Sequence, residues 1–389
     1  MNLILLGAIC SLSAIMGLVV GLKWPKRKNT ISSDESKIAF LKGFRYFLSN
    51  ETDRAIEAFT KAVQLDTETI ETYVALGNLL RDKGEFERAI RIRQNIMTRP
   101  HLDKQIRLQA LYDLAIDYKK GGFVDRAIES FKEIIRQDPK RADAYLELAL
   151  LYQEIKDWEA AYKYIKQLAN FTKNSYSLML AHFKTEMGKV SQKEDLGMAE
   201  KLYREAIKID KRCVDAYLHL GDLYLMKENT KKALSIWLEV IKNASDYAFL
   251  VYRRIEEHLD KLQADKALEK LIEYLKKMES HDVSSCLILA RYYHRKNRLD
   301  LAKNYLEEAL RQTPQHFSAR QFLAQILLEE GKMEAALAEI KGLLKITILE
   351  KSFQCSQCGY KAHKLSWKCP QCGNWDTIKP KTNYSERFK

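Results

Sequence analysis

Four cysteines near the C-terminus are spaced like the ligands of one metal ion. They form two Cys-x-x-Cys pairs, Cys355 with Cys358 and Cys369 with Cys372, separated by ten residues. A glycine follows each pair directly, and glycine tolerates the left-handed backbone that such a tight turn needs. Four thiolates arranged as a tetrahedron favour zinc or iron. The spacing therefore predicts a closed, structural four-cysteine site.

Other uses of these cysteines fit the sequence less well. Two disulfides are disfavoured because the body of the chain, with only Cys213 and Cys286, shows no disulfide framework and suits a reducing compartment. A thioredoxin-like motif would need one Cys-x-x-Cys pair at a strand–helix junction. The two turns look like those of rubredoxin, although the spacer is shorter than in electron-carrying rubredoxins. We therefore predict a rubredoxin-like domain over residues 351–380 with one iron ion, and zinc as the alternative.

Composition favours helices for the rest of the chain. Only 15 Gly and 6 Pro occur in 389 residues, whereas turn-rich β folds need many such residues. A Rossmann-type enzyme is also disfavoured, because the sequence contains no Gly-rich phosphate-binding loop. The predicted fold class is all-α, apart from the small metal domain.

A repeat of 34 residues runs through the body. Its marker is an alanine, separated from the next by 34, 38, 34, 38, 34, 34, 35 and 34 residues in turn. The nine alanines are Ala55, Ala89, Ala127, Ala161, Ala199, Ala233, Ala267, Ala302 and Ala336. A small residue twelve positions earlier lets paired helices approach closely. The pattern resembles the tetratricopeptide repeat and predicts a superhelical solenoid of nine repeats over residues 37–350. The fifth and seventh repeats are degenerate. In the seventh, Ile255 replaces the small residue.

Such a solenoid offers a concave surface for protein partners and no pocket chemistry of its own. Counting along the first helices predicts groove-facing positions at Asn78, Arg81, Tyr112, Lys119, Leu146 and Gln153. The histidines of the repeats are scattered without matching Asp, Ser or Cys, and no His-Glu-x-x-His, Gly-x-Ser-x-Gly or Walker sequence is present. We therefore predict that the chain is not an enzyme.

The N-terminus predicts a membrane anchor. Residues 2–22 carry no charge, and their 20-residue apolar core would form a helix about 30 Å long, the thickness of the hydrocarbon layer. A signal peptide fits less well, since no Lys or Arg precedes the run and no Ala-x-Ala site follows it. A buried soluble helix would normally be shorter and show a polar face. We predict a transmembrane helix over residues 1–22, then a basic collar and linker over residues 23–36.

The distribution of charge indicates orientation and partners. Of the net charge of +13, residues 1–28 carry +4 and residues 351–389 carry +6, leaving a nearly neutral body. The basic collar follows the apolar run, so the positive-inside rule places the bulk of the chain in the cytoplasm. A nucleic-acid groove would need a basic stripe along the body. The basic tail, residues 381–389, is explained equally well by anionic lipid headgroups.

The order of these parts resembles the lipopolysaccharide assembly protein B family of Gram-negative bacteria. The likeness covers essentially the full chain and is most specific over residues 76–94 and 355–380, where the family's four metal-binding cysteines map onto the two pairs without substitution. The resemblance implies a regulator of lipopolysaccharide synthesis at the inner membrane. It would work with the membrane-anchored protease FtsH to degrade the deacetylase that commits carbon to lipid A, and would gather other lipopolysaccharide assembly proteins.

The residues leave alternatives open. One is a general membrane-tethered scaffold or co-chaperone, and another is a rubredoxin-like electron carrier. A nucleic-acid zinc ribbon is supported only by the basic tail, and nucleic acid is not predicted as a partner. Formation of a homodimer is left open.

Overall fold

A computed structural model describes residues 28–65, 69–173, 175–258, 266–277, 282–344 and 353–380. Eighteen α-helices lie in these ranges, and a small sheet follows them. The first ten helices are α1 (Lys28–Leu48), α2 (Thr52–Leu65), α3 (Ile70–Asp82), α4 (Phe86–Met97), α5 (Lys104–Lys120), α6 (Val124–Gln137), α7 (Ala142–Glu154), α8 (Trp158–Phe171), α9 (Ser177–Ser191) and α10 (Leu196–Ile209). The others are α11 (Val214–Met226), α12 (Thr230–Asn243), α13 (Ala248–Glu257), α14 (Lys266–Lys276), α15 (Val283–Arg295), α16 (Leu299–Gln312), α17 (Phe317–Glu329) and α18 (Met333–Leu343).

The chain divides into two units, Met1–Ile155 and Lys156–Lys389. In the first unit, α1 packs on α2, α3 on α4 and α5 on α6. In the second unit, α9 packs on α10, α11 on α12, α15 on α16 and α17 on α18. The seventh repeat is less regular, because its second helix, α14, packs on α12 of the preceding repeat. This helical repeat architecture is the one that the 34-residue period predicted.

The repeated alanines mark the packing of each helix pair. The side chains of Ala55, Ala89, Ala127, Ala161, Ala199, Ala233, Ala302 and Ala336 are all fully buried. The residue four positions later fills the space beside the small residue of the first helix. A Cβ atom added to Gly77 would lie 2.8 Å from Arg93, and one added to Gly221 would lie 2.0 Å from Trp237. The sequence period therefore corresponds to a repeated small-against-large contact.

The fifth repeat follows this packing rule with a shift of one residue. A Cβ atom on Gly188 would lie 2.5 Å from the Tyr203 ring, and Tyr203 is four residues after Ala199. The small residue therefore stands eleven positions before the alanine, one fewer than the sequence pattern requires. In the seventh repeat, Ile255 takes the position of the small residue and is fully buried. The first irregularity arises because α9 ends three residues after its small residue, whereas α3 ends five residues after Gly77. The second irregularity is a real substitution.

The N-terminal and C-terminal predictions fall largely outside the described residues. The predicted transmembrane helix, most of the basic collar and the tail at 381–389 all lie there. Helix α1 begins at Lys28 and so extends into the segment that composition predicted to be a linker. None of the helices in the described ranges is both long enough and apolar enough to cross a membrane.

The small C-terminal sheet has three antiparallel strands, β1 (Phe353–Cys355), β2 (Lys361–Ala362) and β3 (Ile378–Pro380). Strand β1 lies in the centre, with Phe353 opposite Ala362 of β2 and Cys355 opposite Ile378 of β3. We call residues 353–380 the knuckle domain. Its own core is small: Phe353, Cys355, Cys369 and Ile378 are its buried members.

Candidate metal centre

The two cysteine pairs come together at one end of the knuckle domain. Their four Sγ atoms all lie within 4.8 Å of one another. Cys355 Sγ is 3.7 Å from Cys372 Sγ, and Cys358 Sγ is 3.7 Å from Cys369 Sγ. Sulfur ligands placed tetrahedrally about 2.3 Å from one ion are about 3.8 Å apart. The donor set therefore fits a single four-sulfur metal ion.

Two similar turns hold these sulfurs. The N–H of Gly359 donates to the carbonyl of Cys355 at 3.0 Å, and the N–H of Gly373 donates to that of Cys369 at 2.9 Å. Both glycines have positive φ angles, 75° and 72°, which L-residues rarely adopt. This confirms the reason given above for a glycine after each pair.

Hydrogen bonds favour the thiolate form of Cys355. Burial opposes its ionisation, but Thr377 Oγ1, 3.3 Å from Sγ, and the N–H groups of Gln357 and Cys358 lower its pKa to about 6. The N–H of Tyr360 likewise lowers the pKa of Cys358. Burial and the neighbouring sulfurs nevertheless raise the pKa of Cys358 to about 12, because adjacent thiolates repel. A bound cation would remove this repulsion, as expected of a metal site.

The centre is closed on one side and open on the other. Cys355 and Cys369 are buried, whereas Cys358 is exposed. Four sulfurs fill a tetrahedral coordination shell and leave no position for a substrate. The arrangement can therefore fold the domain around a metal and, with iron, could exchange an electron at the exposed edge.

The knuckle domain packs on the first helix of the fifth repeat through His182. The Nε2 atom of this fully buried histidine lies 2.9 Å from Asp376 Oδ1. The Trp375 ring stacks on the imidazole, with ring centres 4.2 Å apart and planes 17° apart. A second ring, Trp367, lies 6.2 Å from the same imidazole. One side chain of α9 thus contacts three residues of the knuckle domain.

A second set of contacts joins the knuckle domain to the seventh repeat. Trp367 lies 5.4 Å from the Tyr247 ring, and the Tyr247 hydroxyl donates to the Asp376 carbonyl at 3.3 Å. Lys379 pairs with Asp246 at 3.1 Å and lies 4.3 Å above the Tyr247 ring. His182 and Phe249, which packs near Phe353, each stand six residues before the small-residue position of their repeat. The knuckle domain therefore occupies equivalent positions of two repeats.

The electrostatics of this contact favour a charged imidazole. Burial lowers the pKa of His182, but the bond to Asp376 and the neighbouring Cys213 raise it to about 10. At neutral pH the contact is therefore an imidazolium–carboxylate pair. Sequence reasoning missed His182, because it has no local motif. Two tryptophans in a 28-residue domain with little core of its own were the available signal.

Two of the predicted groove residues, Asn78 and Arg81, take part in polar contacts around the second and third repeats. Arg81 pairs with Asp117 and lies 3.5 Å from Asp113, both on the next first helix, α5. Asn78 accepts a hydrogen bond from the buried Arg93. These contacts make the two predicted residues part of an ion-pair network between repeats, whose acidic members the sequence analysis did not single out.

The other predicted groove residues differ in exposure. Lys119 pairs with Glu147 on α7 at 2.9 Å, and Tyr112 and Leu146 are half-buried. Gln153 is 9% exposed, which differs from the expectation of a groove-facing side chain. Gln153 stands four residues after the fully buried Ala149, so it lies on the packed side of α7. Nothing in the described residues brings the six together as one binding site.

Comparison with protein-family models agrees with this architecture. A model described as a rubredoxin metal binding domain matches residues 353–380. Tetratricopeptide-repeat models match residues 72–107, 122–182, 192–248 and 293–347. The matches therefore cover both the repeats and the knuckle domain.

Curated relatives match over nearly the full length. The chain is 26% identical to lipopolysaccharide assembly protein B of Escherichia coli K12 over 386 residues, 97% of each chain. It is 27% identical to the protein of the same name from Haemophilus influenzae over 392 residues, 97% of this chain and 98% of the relative. Among solved structures, a tetratricopeptide repeat protein from Parabacteroides merdae aligns over 76% of this chain and 99% of its own, with 12% identity and a TM-score of 0.37.

Proposed function

Because the chain belongs to the lipopolysaccharide assembly protein B family, we propose that it is a non-catalytic adaptor that limits lipopolysaccharide synthesis at the bacterial inner membrane. The adaptor would promote degradation of the lipid A deacetylase by the membrane-anchored protease FtsH. It would also hold other lipopolysaccharide assembly proteins near these two. The observation that carries the proposal is the knuckle domain seated on tetratricopeptide repeats, in a chain that matches its relatives end to end.

The parts of the chain suit an adaptor. Repeat helices present extended surfaces to protein partners, and no reaction needs to occur on them. An N-terminal anchor at residues 1–22, with the bulk of the chain cytoplasmic, would confine the repeats to the plane of a membrane protease. Confinement raises the effective concentration of two partners without any new contact. A deacetylase bound to repeats that are held at the membrane would lie close to FtsH.

The metal has a structural role in this proposal. Cys355, Cys358, Cys369 and Cys372 would hold one iron ion, with zinc as the alternative, and the ion would supply the folding free energy that a 28-residue domain lacks. The folded domain in turn presents Trp367, Trp375 and Asp376 to the repeats. Elemental analysis of the purified full chain, expressed as ions per chain, distinguishes iron from zinc.

Depletion of the protein tests the adaptor role. Cells in which its synthesis is switched off should accumulate the deacetylase, as seen by immunoblotting, because degradation slows while synthesis continues. Messenger RNA levels for the deacetylase serve as the control for changed synthesis. An unchanged deacetylase level in depleted cells would refute the adaptor proposal and leave a general scaffold or co-chaperone.

An electron carrier is the second candidate, and the exposed Cys358 at the edge of the centre favours it. Electron transfer requires the bound metal to cycle reversibly between two oxidation states. Voltammetry of the metal-loaded chain tests this directly. A reversible one-electron wave would support a carrier, whereas its absence would leave the metal a structural role only.

A further inference from the structure

The first helix of the repeat array presents an apolar face that no described residue covers. Ile38, Leu41, Phe44 and Leu48 of α1 follow one another at three- and four-residue intervals, so they share one side of the helix. They are 53%, 63%, 48% and 70% exposed. Phe47, 52% exposed, borders them. End repeats of a solenoid normally turn a polar face outward. An apolar outer face on the first repeat therefore indicates a binding surface.

The opposite side of α1 is fully used in packing. Ala39 is buried, Phe40 meets the Phe59 ring edge-on at 5.5 Å, and Ser36 donates to the carbonyl of Ala62 at 3.2 Å. A Cβ atom on Gly43 would lie 2.9 Å from Phe59. Helix α1 is therefore a firmly seated member of the first repeat, and its exposed apolar side chains are not those of a loosely attached segment.

The preceding chain indicates what covers this face. Helix α1 begins at Lys28, six residues after Leu22, where the uncharged N-terminal run ends. Six residues span at most about 20 Å. A membrane anchor at residues 1–22 would therefore hold the start of α1 within that distance of the lipid surface. The face and the membrane would be neighbours without any further partner.

The charges around the face suit anionic lipid headgroups. Lys42 and Arg45 are exposed on the C-terminal half of α1, and Lys37 is exposed 3.8 Å from Asp34. The acids of this stretch, Asp34 and Glu35, precede the apolar side chains. A helix that carries an apolar face with cations beside it is typical of one lying in a membrane interface. Lysine and arginine can keep their charges at the headgroups while their stems lie along apolar surface.

We propose that the exposed apolar face of α1 lies in the headgroup region of the cytoplasmic leaflet and docks the first repeat directly on the membrane. This inference rests on the proposed anchor. It goes further, because a flexible tether alone would leave the repeats free to turn. Docking fixes which side of the first repeats faces the membrane and so restricts the directions from which a membrane-bound partner can approach.

Photocrosslinking in native membranes tests the docking. A diazirine-bearing amino acid is placed singly at Leu41, at Trp24 or at Ile155 of the full-length chain, and mass spectrometry looks for a mass shift of one phospholipid after irradiation. Trp24 reports on the anchor. Ile155, an apolar side chain that is 50% exposed, directly follows α7 and serves as the matched control. We expect the lipid adduct at Trp24 and Leu41 and its absence at Ile155.

The outcomes separate docking from anchoring. Lipid adducts at Trp24 but not at Leu41 overturn the docking and leave the anchor in place. Adducts of Leu41 with a protein, whether a second copy or another chain, also overturn it, as does equal lipid labelling at Ile155. Absence of lipid from both Trp24 and Leu41 contradicts the anchor itself. Replacing Lys42 and Arg45 with Glu should reduce the adduct at Leu41 and leave that at Trp24 unchanged.

Discussion

His182 Nε2 on α9 lies 2.9 Å from Asp376 Oδ1 of the knuckle domain, although 194 residues separate them in the sequence. This pair joins a repeat helix to the segment that follows the last metal ligand. The stacked Trp375 ring excludes water from the imidazole. The pair therefore provides a direct way to ask whether the metal-binding segment acts as an independent module or as part of the repeat array.

The first prediction concerns the strength of this contact. Replacing His182 with Gln leaves Asp376 without its charged partner, and removing one member of a buried pair typically costs about 3 kcal/mol. We expect faster amide hydrogen exchange across residues 353–380, with an unchanged metal content. The matched control is His294→Gln, which breaks a more exposed pair with Glu329 at 2.6 Å and should cost less than about 1 kcal/mol. Equal exchange in wild type and His182→Gln would show that the pair does not hold the domain.

The second prediction concerns pH. The pKa of His182 is raised to about 10 in the folded state, against about 6.5 for an unperturbed histidine. The folded state then binds more protons than the unfolded state, so the stabilisation is complete below about pH 6.5 and is lost as the pH rises toward 10. The melting-temperature difference between wild type and His182→Gln should be large at pH 6.5 and small at pH 9.5. A difference that stays constant over this range would contradict a charged imidazole.

The third prediction concerns metal removal. Cys369→Ser removes one ligand, so the knuckle domain should lose its metal and its sheet, because metal binding supplies most of its folding free energy. The helices have their own cores, so far-ultraviolet circular dichroism should change little. Cys286→Ala, at a buried cysteine outside the knuckle domain, is the control and should keep one ion per chain. A metal-free Cys369→Ser chain with an intact knuckle domain would argue against a structural metal.

The fourth prediction concerns the shifted packing of the fifth repeat. Gly188→Ala would place a Cβ atom 2.5 Å from Tyr203 and should destabilise the second unit by about 1–3 kcal/mol through overpacking. Gly197→Ala, in the first turn of α10, meets nothing closer than the Asp195 carboxylate at 3.1 Å. Urea unfolding should show a clear loss for the first variant and little loss for the second. Similar stabilities would mean that Gly188 is not the packing residue.

Much of the fold could be predicted from the sequence because it arises from local repetition. The alanine at 34-residue intervals identified helix pairs, and the spacing of the cysteines identified the metal centre. Both signals lie within a few dozen residues. The fifth repeat departs from the pattern because α9 ends two residues earlier after its small residue than α3 does, while the connection that follows is one residue longer. A pattern of fixed spacing misses a packing residue whose distance from the end of its helix has changed.

The contact between the repeats and the knuckle domain could not be predicted in the same way. His182 and Asp376 are far apart in the sequence, and neither belongs to a motif. The burial of Gln153 depends on how neighbouring helices pack around α7, which counting along one helix does not reveal. Contacts between residues far apart in the sequence depend on how the helices and the knuckle domain pack in three dimensions. A local sequence pattern does not predict this packing.

The half-life of the deacetylase tests the adaptor account most directly. It is measured after translation is stopped, in cells whose only copy of this protein is wild type, Cys369→Ser or Cys286→Ala, each present at equal levels in the membrane fraction. We predict rapid loss of the deacetylase with wild type and Cys286→Ala, and a several-fold longer half-life with Cys369→Ser. Equally rapid loss in cells carrying a metal-free Cys369→Ser protein would contradict the account.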